Sequence, residues 1–321
     1  MKRREFITLI GGAAAWPLAA RAQQRAMPVV GYLDIGEPNW RAPFRKGLSE
    51  TGFVEGRNVT IEYRLVPINE INRFGGLREF VSRASVIVAP SSAVAHAAKA
   101  ATATIPIVFR TGFDPVQDGL VESFDRPGGQ LTGITDISVV LGQKRLQLLH
   151  DMLPGASRFG ALVNDPNFPF TETMIKDLQA AAAIIGRPVE IVPASTNSEI
   201  DEAFASLQQN HIDALLVDSS GLFVLRRVQV VTLATHYRIP AIYPRREFAE
   251  IGGLVSFGSE FADQYRHVGF YTGRILKGEK PADLPVMRPT KFDFVINMQT
   301  AKALGLTIPE TLLATADEVI Q

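Results

Sequence analysis

The chain has 321 residues, of which 46% are hydrophobic and 21% charged, with 33 basic and 33 acidic residues and no cysteine. Such a length predicts two domains, each large enough to bury a core. The even charge offers no electrostatic footprint for nucleic acid, and the lack of cysteine excludes disulfides, thiol catalysis and Cys-based metal sites.

Residues 1–22 read as an export segment and not as part of the fold. Lys2, Arg3 and Arg4 precede an apolar stretch over 6–18, and Ala20-Arg21-Ala22 is a small-x-small cleavage site. The stretch is too short to span a bilayer. Arg3-Arg4-Glu5-Phe6-Ile7 resembles a twin-arginine signal, with the Sec route left open. Cleavage would leave 29 basic against 32 acidic residues and no lipid-attachment cysteine. A chain free in a Gram-negative periplasm is expected.

The remaining chain alternates apolar runs with amphipathic stretches. Strands are predicted at 28–33, 59–63, 85–89 and 105–109, with helices at 44–51 and 93–104. This β-α-β-α spacing argues for a parallel sheet covered on both faces. The pattern then repeats. Strands are predicted at 158–163, 189–192, 214–217 and 241–243, with helices at 143–152, 172–185, 199–209 and 225–237. A further strand follows at 252–258, a long helix at 260–276, a proline-rich extended run at 280–289 and a strand at 292–296. The expected fold is α/β, with two Rossmann-like lobes. One lobe comprises 27–133 plus 254–284, the other 134–253 plus 285–321. Three interlobe crossovers are expected, near Thr132–Asp136, Gly252–Ser256 and Leu284–Pro289.

In open parallel sheets, ligands sit beyond the carboxyl ends of the strands, so the loops there are the candidate site. They carry Trp40, Ser91, Ser92, Thr111, Asp114, Asn164, Ser195, Asp218, Ser220 and Gly221. Ser91 and Ser92 open a helix, where free N–H groups and the dipole favour a carboxylate. Plain capping by serine is the alternative. Trp40 is suited to stack on a ring, or to serve as a core or rim aromatic. The Asp218 carboxylate suits an amino group, whereas Asn164-Asp165 also fits a simple turn before Pro166.

No catalytic motif stands out. There is no GxGxxG after the first strand, no Walker sequence and no GxSxG. His96, His150, His211, His236 and His267 form no HxxxH or HxH pair, so neither a metal nor a cofactor is expected.

Several blocks, in order, resemble the ABC transporter substrate-binding proteins of the tryptophan-binding-type group. They are residues 47–59, Asp114-Pro115-Val116 with Gly119-Leu120-Val121, residues 126–133, 240–248 and 289–297. The resemblance implies a type I periplasmic binding fold with three crossovers. It also implies a small organic ligand, such as an aromatic amino acid or related carboxylate, and the membrane permease of an ABC importer as partner. Nucleic acid is not an expected partner, and a monomer is expected. Two alternatives are an exported sensor subunit and an enzyme on a doubly wound fold. A repressor's ligand domain would need an N-terminal helix-turn-helix where the export segment stands.

Overall fold

The computed structural model describes residues 27–34, 36, 38–66, 76–136, 138–165 and 169–321. The expected export segment lies outside these residues, as do Ile35, Glu37 and 166–168 of the candidate loops.

Runs of Val, Ile, Leu and Ala form the strands because both faces are covered by helices, so no polar alternation is needed. The first lobe runs β1 (Val29–Asp34), α1 (Arg41–Glu50), β2 (Thr60–Leu65), α2 (Leu77–Ser82), β3 (Val86–Ala89), α3 (Ser92–Ala101), β4 (Ile107–Thr111) and β5 (Leu131–Thr135). Its sheet is parallel, in the order β2-β1-β3-β4-β5.

The second lobe runs α4 (Ser138–Met152), β6 (Phe159–Val163), α5 (Pro169–Ile185), β7 (Val189–Pro193), α6 (Asn197–Gln209), β8 (Ala214–Val217), α7 (Gly221–Leu225), α8 (Arg227–His236), β9 (Ala241–Tyr243), α9 (Arg246–Glu250) and β10 (Val255–Ser259). The chain returns to the first lobe as α10 (Phe261–Leu276), which packs on α1, β3, β4 and β5. Met287 then bridges to Ile134 beside β5. Finally β11 (Phe292–Asn297), α11 (Met298–Leu304), α12 (Glu310–Leu313) and β12 (Glu318–Ile320) complete the second lobe. Its seven strands are ordered β12-β11-β10-β9-β8-β6-β7, and only β11 runs antiparallel to its neighbour β10.

The expected domain limits need three corrections. Ile134 and Thr135 pair with Arg110 and Thr111, and the Val286 and Met287 N–H groups donate to the carbonyls of Phe124 and Gly133, so both stretches belong to the first lobe. Val255 and Ser256 pair with Ile242 and Tyr243, so β10 belongs to the second lobe. The second crossover therefore follows Ser259, not Gly252–Ser256. An apolar run after a turn reads the same in either sheet, and periodicity does not reveal which neighbour it joins. The predicted helix over 225–237 is α8, and the short α7 just before it, joined at Arg226, was not expected.

The α1–α10 contact holds the returning helix in the first lobe. A Cβ on Gly47 would lie 1.7 Å from the Arg266 carbonyl oxygen, and one on Gly269 would lie 2.0 Å from that of Phe44. The backbones touch because both positions lack a side chain. Gly269→Ala must push the helices apart, and overpacking of this kind costs about 1–3 kcal/mol. Urea unfolding is expected to show that loss, and an unchanged midpoint would contradict tight α1–α10 packing.

Candidate ligand-binding cleft

Each sheet reverses its strand order once. The reversal lies between β1 and β3 in the first lobe and between β6 and β8 in the second. Such points open a crevice beyond the carboxyl ends of the strands, where ligands bind. A cavity between the lobes is lined by Gly36, Asn39 and Trp40 from one and by Val224, Arg227 and Arg245 from the other.

On the second-lobe side, Asp218 is 3% exposed at the end of β8. Its carboxylate accepts N–H bonds from Asn164 at 3.0 Å and Ser220 at 2.7 Å. The first of these ties the β6 loop to the β8 loop across the strand reversal. Arg145, from α4, is 1% exposed and stands close enough to Asp218 and Asp136 to feel both charges. Burial raises the Asp218 carboxyl, while the Ser220 and Asn164 bonds and Arg145 hold it back. Burial lowers the Arg145 guanidinium to about 10, against the pull of the two aspartates. Gly221 opens α7 and is exposed.

On the first-lobe side, Asp34 fixes the loop after β1. It accepts from the Gly36 N–H at 2.7 Å and from Arg41 Nε at 2.9 Å. Trp40 stacks on Tyr265, with ring centres 5.5 Å apart and planes 7° apart. Ser91 caps α3, its hydroxyl oxygen accepting from the Val94 N–H at 3.3 Å. Ser92 is buried and donates its hydroxyl to Asp118. Thr111 is buried and accepts from the Phe113 N–H at 3.1 Å. Asp114 accepts from the N–H groups of Val116 at 2.8 Å and Gln117 at 3.2 Å, which shapes the turn after β4.

A charged and aromatic cluster joins the two sides. Arg110 bonds Asp136 at 2.5 Å and Gln264 at 2.9 Å, and its guanidinium lies 4.2 Å from the Phe261 ring centre. Arg245, from the second lobe, lies 3.7 Å from the same ring centre and 5.7 Å from that of Trp40. Arginines over aromatic faces gain more when desolvated, and Arg245 and Phe261 are both buried.

Of the residues expected from the sequence, Trp40 lines the interlobe cavity. Asn164, Asp218 and Ser220 are joined by hydrogen bonds at the second-lobe strand reversal, and Ser91 and Ser92 stand at the start of α3 after β3. Thr111 and Asp114 lie at the next strand end. Ser195 stands apart. It is exposed after the edge strand β7, and its N–H donates to Glu199 at 2.7 Å, completing the start of α6. Arg110, Asp136, Arg145, Arg245, Phe261 and Gln264 are additions that the loop survey did not select. Arg245 could have been found, because it lies in the 240–248 block that carried the family resemblance.

Comparison with known proteins gives consistent matches. The family model described as ABC transporter substrate binding protein covers residues 39–320. A tyrosine-binding protein of Clostridioides difficile strain R20291 is 29% identical over 264 residues, which is 82% of this chain and 75% of that protein. The crystal structure of an ABC domain in complex with L-Trp from Streptococcus pneumonia is 24% identical, with a TM-score of 0.81, and covers 92% of this chain and 100% of that one. A ligand-free, open structure of a Clostridium difficile substrate binding protein with adhesive properties is 27% identical, with a TM-score of 0.68, over 92% of this chain and 99% of that one.

Proposed function

The chain belongs to the ABC transporter substrate binding protein family, and from that premise we propose that it is the exported receptor of an importer, closing its lobes around an aromatic amino acid. The fold is the type I periplasmic binding fold, whose switch is hinge closure. The observation that carries the reading is the facing pair of strand reversals, with a buried Asp218 on one side and a helix N-terminus at Ser91 on the other. A zwitterion fits them: its ammonium meets Asp218 and its carboxylate meets Ser91 and the first N–H groups of α3. The ring lies toward Trp40 and Arg245. No catalytic role is assigned to any of these groups.

Only a ligand that contacts both lobes can favour the closed form, since closure needs differential affinity. The relatives support a lobe arrangement nearer to that of a liganded form than to that of a ligand-free, open one. The L-Trp complex superposes better, at a TM-score of 0.81, than the open form at 0.68, although its sequence is less similar. A membrane permease would then read the loaded receptor from the spacing of the lobe tips.

Titration calorimetry with L-tyrosine and L-tryptophan tests the ligand. A Kd of about 1 µM or tighter is expected, equivalent to about −8 kcal/mol. Trp40 is the only tryptophan after residue 16, so protein lacking the export segment reports the cleft by its fluorescence. Binding is expected to shift that emission and to lower the radius of gyration in small-angle scattering. A tight ligand that moves neither would indicate a rigid pocket and remove the physical basis for transport.

A further inference from the structure

Ser91 and Ser92 are neighbours at the start of α3, yet their hydroxyls are set in opposite senses. Ser91 accepts from the Val94 N–H, which leaves its own proton available to donate. Ser92 donates its single proton to Asp118 Oδ2, which leaves its oxygen with lone pairs only. Asp118 is held for this task. Its other oxygen meets His96 Nε2 at 2.9 Å, one turn along α3 from Ser92. One turn further, Lys99 Nζ donates to the carbonyls of Gly119 at 2.7 Å and Leu120 at 3.3 Å. The Asp118 N–H donates to the Asp114 carbonyl at 2.9 Å. One face of α3 therefore clamps the 114–120 loop, and the Asp118 side chain, 5% exposed, is fixed between Ser92 and His96.

We propose that Asp118 is a specificity-determining positioning residue, which turns Ser92 into an obligate hydrogen-bond acceptor beside the donor Ser91. The paired serines then select a ligand with an ammonium next to a carboxylate over one with a carboxylate alone. An unaided Ser92 hydroxyl would rotate to donate and would welcome plain carboxylates. With its proton held by Asp118, it leaves such ligands without a second donor, and sites of this kind reject a ligand that leaves polar groups unpaired. This inference rests on the proposed function and names the residues that make its site choose an amino acid over the matching plain carboxylate.

The test compares L-tyrosine with 3-(4-hydroxyphenyl)propionate, the same molecule without the amino group, and L-tryptophan with indole-3-propionate, by calorimetry. The wild-type titrations judge the functional reading, and the variants judge the role of Asp118. Wild type is expected to prefer each amino acid by about a hundredfold, with part of that preference due to Asp218. Asp118→Asn supplies an amide N–H toward Ser92 and frees the serine proton, so the preference should fall about tenfold. Ser92→Ala should lower it similarly. Adding Asp118→Asn to Ser92→Ala should change it no further, because the aspartate acts through that hydroxyl. Equal weakening of both partners of a pair by Asp118→Asn would reduce Asp118 to a loop strut and overturn the proposal. So would an unchanged preference, or an undiminished Asp118→Asn effect in the Ser92→Ala background. A wild-type protein that binds the propionates as well as the amino acids overturns it while leaving a receptor role intact. Binding of none of the four overturns the functional reading and this inference with it.

Discussion

Arg145→Met is expected to lower stability by about 3–5 kcal/mol, the usual cost of removing one partner from a buried charged set. The arginine is 1% exposed and offsets the charges of Asp218 and Asp136. Methionine fills much of the same volume, so the loss comes from charge and not from a cavity. Asp136 keeps Arg110, at 2.5 Å, whereas Asp218 keeps only its hydrogen bonds. The carboxyl of Asp218, already raised by burial, should rise further. A carboxyl raised in the folded state binds its proton more tightly there than in the unfolded chain. Its contribution to stability is present below the unfolded value and is lost as pH climbs through the folded one. The deficit of Arg145→Met should therefore be largest at neutral pH and shrink as the pH falls toward the ordinary aspartate range. Adding Asp218→Asn should recover part of it, because the uncompensated charge is gone. Urea midpoints at several pH values measure all of this. A deficit below about 1 kcal/mol would mean that Arg145 is solvated in solution.

The strands were legible because a sheet buried on both faces needs unbroken apolar runs, and runs such as Val86–Ala89 and Ala214–Val217 have no other explanation in a chain of this period. Lobe membership was not. Val255–Ser259 looks like any other apolar run, and only its pairing with β9 and β11 assigns it. The short α7 was hidden for a related reason: Gly221–Leu225 is only five residues, the length of an ordinary loop, and it runs almost directly into α8. Asn297 caps α11 by accepting from the Thr300 N–H at 3.0 Å, a start signal carried by a single asparagine at the end of a strand.

The site divides in the same way. Residues at strand ends can be read from topology alone, and that rule led to Ser91, Asn164 and Asp218. It also led to Ser195, because sequence does not tell a central strand from an edge one, and β7 is at the edge. Arg145 and Gln264 lie within helices, where a charged or amide residue is ordinarily a solvated one. Their burial follows from how two lobes and a returning helix meet, and no local pattern encodes that.

Asp218→Asn is expected to weaken binding of an aromatic amino acid by about thirtyfold to a thousandfold, the range for losing one side of a buried charged hydrogen bond. Asparagine keeps the shape and one acceptor, and it removes the charge that faces the ligand's ammonium. The argument carries a pH signature that a packing effect would not. In the free protein, burial holds the Asp218 carboxyl above its ordinary value. An ammonium placed against it favours the ionised form and pulls the carboxyl down. Binding therefore releases a proton wherever the free protein carries one on Asp218. Wild-type affinity should fall as pH drops through the free protein's value and level off above it. The ligand's own ammonium stays charged throughout that acidic range, so the dependence belongs to the protein. Calorimetry in two buffers of different ionisation enthalpy reads the proton directly. Wild type should release it in mildly acid solution, and Asp218→Asn should not. If the variant binds within threefold of wild type, or releases the same proton, the ammonium sits elsewhere and the cleft must be oriented the other way round.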